Sequence, residues 1–163
     1  MKIRHARPAD HPAIHALNLA AFQGAAEADL VARLRADGDS VFEMVAEGEG
    51  QIIGHILYSR LWADSVNLYL ALAPMAVSPD HQRLGIGSDL VRVSLEFCKE
   101  FGVHGVLVLG HPDYYPRFGF SAAATAQVSS PYAGSPAFMA LALEEDAFNA
   151  PLTLAYPDGF NGL

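Results

Sequence analysis

The chain is short of cysteine, of basic residues and of long apolar runs, and each shortage removes a class of protein. A single cysteine, Cys98, can make no internal disulfide, which fits a reducing compartment and leads to the expectation of a cytoplasmic protein. Lysine and arginine number 10 against 18 aspartates and glutamates, a formal charge of −8. That balance argues against phosphate-backbone binding, so no nucleic-acid partner is expected. No run approaches the roughly 18 apolar residues of a membrane span, and Met1 to Pro8 is basic without a following apolar segment, so no membrane partner is expected either. What is present is 163 residues with 52% hydrophobic content, suited to a single domain, residues 1–163, with a substantial core.

Hydrophobic spacing orders the elements. Lys2 to Arg7 reads as a first strand, and Asp10 as the N-cap of a helix running to Phe22. A second helix is expected from Ala26 to Arg35, closed by Asp37-Gly38. Strands follow over Val41 to Ala46, Gln51 to Trp62 and Val66 to Val77, with a hairpin turn at Glu47-Gly48-Glu49-Gly50. A long helix then carries Ile86, Leu90, Val91, Ser94, Leu95, Phe97, Cys98 and Phe101 on one face and ends at Gly102. Val103 to Gly110 is an uninterrupted apolar run, expected of a buried strand lying parallel to its neighbour. A short helix or turn at Asp113 to Arg117 precedes strands near Phe120 to Val128 and Ala137 to Leu143. The segment from Tyr156 onward reads as a frayed tail, unless Tyr156 and Phe160 pack over a cleft.

The most informative stretch lies between strand and long helix, at Gln82-Arg83-Leu84-Gly85-Ile86-Gly87-Ser88. Glycines where a loop becomes a helix let backbone amides and the positive end of the helix dipole converge on an anion. Gly87 is followed by Ser88-Asp89 rather than Lys-Ser or Lys-Thr, which excludes a Walker A loop, and Leu90 fills the third-glycine slot of a dinucleotide fingerprint. His11 and His15 are four apart, but no third ligand is evident and no metal is expected. Cys98 on an apolar helix face argues against a cysteine nucleophile.

The pattern Gln82-x-x-Gly85-x-Gly87 resembles the coenzyme A pyrophosphate loop of the GNAT N-acetyltransferase superfamily. Tyr115-Pro116-Arg117-Phe118-Gly119-Phe120 resembles that superfamily's second motif. Gly110 to Phe120 is most similar to a bacterial subgroup of predicted acetyltransferases, the YhbS-like proteins. The order of elements along essentially the whole chain also matches. The resemblance implies an α/β (α+β) GNAT fold, a mixed and mostly antiparallel sheet flanked by helices. It implies acetyl-CoA as co-substrate, its pyrophosphate on amides from Arg83 through Leu84, Gly85, Ile86 and Gly87 to Ser88, with Gln82 beginning the loop. The pantetheine arm would pair with the family's fourth strand around Met75, Ala76 and Val77.

The implied activity is acetyl transfer to a primary amine of a small molecule or peptide. Such an acceptor, with a pKa of roughly 10, must first lose a proton. Tyr115 matches the family position that protonates the departing sulfur, with Tyr114 adjacent. Glu27 is the first choice for base or amine holder and His111 the second. The alternatives are a catalytically silent acyl-CoA-binding module of the same fold and a nucleotide-binding regulator. Pairing of many such proteins through sheet edges makes a homodimer possible.

Overall fold

The alternating N-terminal segments form a meander whose first hairpin turns on two residues. In the computed structural model, which describes residues 1–161, strand β2 (Ser40–Gly48) meets β3 (Gln51–Arg60) across Glu49-Gly50, at φ of 52° and 75°. Two consecutive left-handed residues give the turn that matches strand twist. With β1 (Lys2–His5), β5 (Tyr69–Val77), β6 (Gly105–Leu109) and β8 (Phe138–Ala142) these strands make a six-stranded sheet, ordered β1-β2-β3-β5-β6-β8. Every pairing in it is antiparallel except β5 with β6. A small second sheet contains β4 (Trp62–Ala63), β7 (Val128–Ser129) and β9 (Leu152–Ala155).

The helices cover the two faces of the large sheet. Helix α3 (Ile86–Phe101) lays Leu90, Val91, Leu95 and Cys98 on Ile56, Tyr58, Leu70 and Leu72, and Gly102 caps it at a φ of 91°. The Tyr58 hydroxyl and Ser94 Oγ, both buried, satisfy each other at 2.8 Å. On the other face α1 (His11–Phe22) and α2 (Ala26–Ala36) contribute Ile14, Leu30, Val31 and Leu34 to a cluster with Val45, Leu57 and Phe160.

A polar chain runs through this second layer. Arg35 of α2 grips Glu43 of β2 with two bonds of 2.9 and 2.7 Å, and Glu43 Oε1 lies 2.8 Å from His55 Nε2. His55 Nδ1 is 3.3 Å from Asn18 Nδ2 of α1, which also donates to the Ile14 carbonyl. This arrangement fits a neutral His55, its Nε2–H donated to Glu43 and its Nδ1 accepting from Asn18. Burial lowers the His55 pKa, against the pull of Glu43. Burial alone would raise the Glu43 carboxyl, but the bonds from His55 and Arg35 outweigh it and hold the pKa at about 2. Both helices are thereby pinned to the strands beneath them.

Two irregularities open the sheet. Leu57 of β3 sits between Ile56, paired with Met75, and Tyr58, paired with Leu72, so Ala73 and Pro74 together oppose one residue. Such a bulge bends its strand. On the other side of β5, pairing with β6 runs from Tyr69 with Gly105 to Leu72 with Val108 and stops there, while β5 continues to Val77.

Several expectations from the sequence need correction. Asp10 stands at the N-cap position of α1 but makes no cap bond; its carboxylate takes the Arg7 N–H at 2.7 Å and the fork of Arg4 instead. The strand expected over Gln51 to Trp62 breaks at Leu61, and Trp62–Ala63 joins β9. The next strand begins at Tyr69 rather than Val66, which is fully exposed. Phe101 is 55% exposed, so the apolar stripe of α3 stops one turn earlier against the sheet. Phe120 to Val128 is no strand but a 3-10 turn at Ala123–Thr125 and a bridge from Ser121 to Ala140, with pairing resumed only at Val128. The run Leu152–Ala155, alternately buried and exposed, is a strand that went unread. The tail is not frayed through Asn161: Phe160 is buried and Tyr156 packs beside it. Gly162 and Leu163, the last residues of that expected tail, lie outside the described residues.

Candidate functional site

The opening between β5 and β6 is flanked by two cavities that share Met75 and Tyr114 as lining residues. The first, of about 440 Å³, lies toward α1 and α2; the second, of about 430 Å³, lies toward the start of α3.

The second cavity is built by the glycine loop. Arg83 and Gly85 both have positive φ, 63° and 85°, which turns the chain sharply into α3. The first bond of the helix ladder is Asp89 N–H to the Gly85 carbonyl at 3.0 Å, so helix geometry leaves the amides of Ile86, Gly87 and Ser88 without intrahelical partners. A Cβ on Gly87 would stand 3.2 Å from Met75 Cε, the close approach that joins loop to strand. Gln82 Nε2 closes the loop with a 3.1 Å bond to the Val77 carbonyl.

Two arginines, Arg83 and Arg117, make the lining of this cavity basic. His81, Arg83 and Arg117 line the second cavity, with no acidic residue among its lining. Arg117 lies 4.5 Å over the ring of Tyr114, whose hydroxyl is 3.0 Å from Ser88 Oγ. Met75, Val77, Gln82, Arg83, Gly85, Ile86, Gly87 and Ser88 all line this cavity. Leu84 does not and is 69% exposed, and Ala76, which is buried, does not line it either. Those two positions have only backbone groups to offer.

The first cavity has the opposite character. Glu27 is the only acidic residue among its lining, with neither lysine nor arginine, and His111 stands at its edge. The rest is apolar and includes six aromatic rings, among them Phe22, Tyr132, Tyr156 and Phe160. Tyr115 is 7% exposed, its ring held edge-on to Tyr114 at 5.1 Å and to Phe120 at 5.7 Å. Gly110 makes room for it, since a Cβ there would collide with Tyr115 Cε2. The Tyr115 hydroxyl has no hydrogen-bond partner among the described residues and borders the cavity, and burial pushes its pKa up, so the phenol stays protonated at neutral pH.

All three residues singled out from the sequence for chemistry, Tyr115, Glu27 and His111, therefore line one cavity. Sequence reasoning missed His81 and Arg117 and the rings of Phe22 and Tyr132. Arg117 lay inside a quoted motif with no role attached, whereas Tyr132 sits in irregular chain with no periodic signal. Among the described residues, no cluster of metal-ligating side chains is found and no helix is long and apolar enough to cross a membrane.

Comparison with known proteins agrees with this geometry. Residues 11–120 match the model of the acetyltransferase (GNAT) family. The chain is 37% identical, over 99% of both sequences, to the uncharacterized N-acetyltransferase YhbS of Escherichia coli K12. The crystal structure of E. coli YhbS in complex with CoA superposes with a TM-score of 0.90 at 35% identity, covering 98% of this chain and 91% of that one. A GNAT family acetyltransferase from Brucella melitensis, in complex with acetyl-CoA, gives 0.82 at 31% identity, covering 98% and 97%. With the parted strands, the glycine loop at the head of α3 and a family match over most of its length, the chain belongs to the GNAT acetyltransferase family.

Proposed function

We propose that this protein is an acetyl-CoA-dependent N-acetyltransferase that moves an acetyl group directly to a primary amine of a small molecule or peptide. The observation that carries the reading is the opposite polarity of two cavities meeting at Met75 and Tyr114. A cationic loop with free amides suits a pyrophosphate, and a carboxylate among aromatic rings suits an amine. The relatives crystallised with CoA and acetyl-CoA support coenzyme A as the co-substrate.

The co-substrate supplies the thioester, and the protein supplies position and proton traffic. Amides of Ile86, Gly87 and Ser88, with Arg83 and Arg117, hold the pyrophosphate. The unpaired edge of β5 at Met75 to Val77 takes the pantetheine arm as an added strand. Glu27 holds the ammonium and, directly or through water, takes the proton that frees the nitrogen lone pair; His111 is the alternative acceptor. The neutral amine attacks the thioester carbonyl, the C–N bond forms as the C–S bond breaks, and the second amine proton passes to solvent. Tyr115 donates its hydroxyl proton to the departing thiolate and is reprotonated from water. No covalent enzyme intermediate is required.

A coenzyme A release assay over a panel of amines tests this. Tyr115→Phe is expected to lower kcat on the order of 100-fold with the KM for acetyl-CoA held within about two-fold. Glu27→Gln is expected to raise the amine KM and lower kcat together. Undiminished turnover by Tyr115→Phe would overturn the acid assignment. Thermal stabilisation by acetyl-CoA without release from any amine would favour a coenzyme A-binding module instead.

A further inference from the structure

Resting on that reading, the first cavity also constrains the acceptor, and we infer that it is a monoamine carried on a flat apolar body, an arylalkylamine rather than a polyamine, an aminosugar or a peptide end. Three features of the cavity select this class.

The charge inventory comes first. Glu27 is the cavity's only acid, and no lysine or arginine borders it. One ammonium can be matched there. A second, as in a polyamine or an aminosugar, would lack a counter-charge, and the carboxylate of a short peptide would lack a cation. The chain's formal charge of −8 favours approach of any cation, so selection among cations must come from the cavity itself.

The walls come second. Tyr132 stands edge-on to Tyr156 at 4.9 Å and 86°, and Tyr156 edge-on to Phe160 at 5.3 Å and 78°. Rings locked at right angles to one another present both edges and faces, the surface against which another ring packs favourably. The irregular chain at Tyr132, the end of β9 and the 3-10 turn Asp158–Phe160 converge to build this array. Burial pushes the Tyr156 pKa up, so its hydroxyl stays neutral and adds no second anion. Phe22 at the end of α1 supplies a fourth ring, 39% exposed at the cavity's rim.

Size comes third. At about 440 Å³ the space is nearly three times the roughly 150 Å³ that admits a benzene ring. It has room for a one- or two-ring body, a short ethyl arm and the acetyl group.

The test has a kinetic and a binding arm. In the release assay, phenethylamine and tryptamine are expected to show kcat/KM at least about ten-fold above spermidine and a glycyl tripeptide. Phe22→Ala, at a half-exposed site that spares the core, is expected to raise the phenethylamine KM about ten-fold with the acetyl-CoA KM unchanged. Higher kcat/KM for spermidine or the tripeptide would overturn this inference and leave acetyl transfer standing. Should no amine turn over, acetyl transfer itself fails, and phenethylamine titrated calorimetrically into the protein saturated with CoA decides the substrate class. Binding weakened by Phe22→Ala supports the inference; no binding overturns it.

Discussion

Ser88 Oγ and the Tyr114 hydroxyl lie 3.0 Å apart, joining the first turn of α3 to the 3-10 turn that carries Tyr115. One bond between side chains thus ties the glycine loop to the turn that carries Tyr115, the proposed proton donor. Ser88→Ala and Tyr114→Phe should each weaken acetyl-CoA about five-fold, the equivalent of about 1 kcal/mol for a neutral hydrogen bond. The double variant should be no worse than the weaker single one, because both remove the same bond. Initial-rate KM values for acetyl-CoA in the four proteins check this; fully additive losses would contradict it.

Gly110 tests the placement of Tyr115 without touching it. Gly110→Ala puts a methyl against Tyr115 Cε2 and 2.8 Å from its Cδ2, so the ring must shift. The expected result is a fall in kcat on the order of that for Tyr115→Phe, with acetyl-CoA binding retained. Gly85→Ala meets no neighbour but must hold a φ of 85°, a strain of about 1–2 kcal/mol. Its cost should appear in the acetyl-CoA KM rather than in kcat. Steady-state kinetics of the two variants separates the cases.

The Arg35–Glu43–His55 chain predicts how stability depends on acid. The His55 pKa is depressed from 6.5 and Glu43 from 4.5 to about 2, so in both cases the unfolded chain binds protons more readily than the folded one. Stability is therefore fully present above pH 6.5, declines below it as unfolded His55 protonates, and declines further below 4.5 toward 2 as Glu43 does. Urea midpoints measured from about pH 7.5 to about pH 4 should fall monotonically. Glu43→Gln, which strands Arg35 and His55, should lose about 3 kcal/mol at neutral pH and flatten the decline below 4.5.

Sequence periodicity was a sound guide wherever an element buries one face on the main sheet. The α3 stripe from Ile86 to Cys98 and the apolar run at Gly105–Leu109 were legible because burial dictates them, and the hairpin at Glu49-Gly50 because its turn chemistry is local. Phe120 to Val128 misled because only its two ends, Phe120 and Val128, are buried, and the alanines between them form an exposed to half-buried 3-10 turn rather than alternate across a strand. β9 was missed because four residues between Pro151 and Pro157 carry too little pattern, and its partners at 62–63 and 128–129 are distant in sequence. The loop Gln82 to Ser88 was legible from local chemistry. The aromatic wall of the first cavity was legible only in part: Tyr156 and Phe160 were named together as residues that could pack over a cleft, whereas Phe22 and Tyr132 come from two other parts of the chain and join them only in the fold.

The halt of β5–β6 pairing at Leu72 and Val108 bears on the solubility of the molecule. A row of unpaired amides and carbonyls on the outer rim of a sheet invites another sheet to dock and start an aggregate. Here the unpaired row at Ala73 to Val77 lies in the middle of the sheet, between β6 and the head of α3. A slender extended chain can enter that notch, but the edge of a folded neighbour cannot. The strand edge proposed to take the pantetheine arm is thereby shielded from the sheet-to-sheet docking that an outer edge would invite.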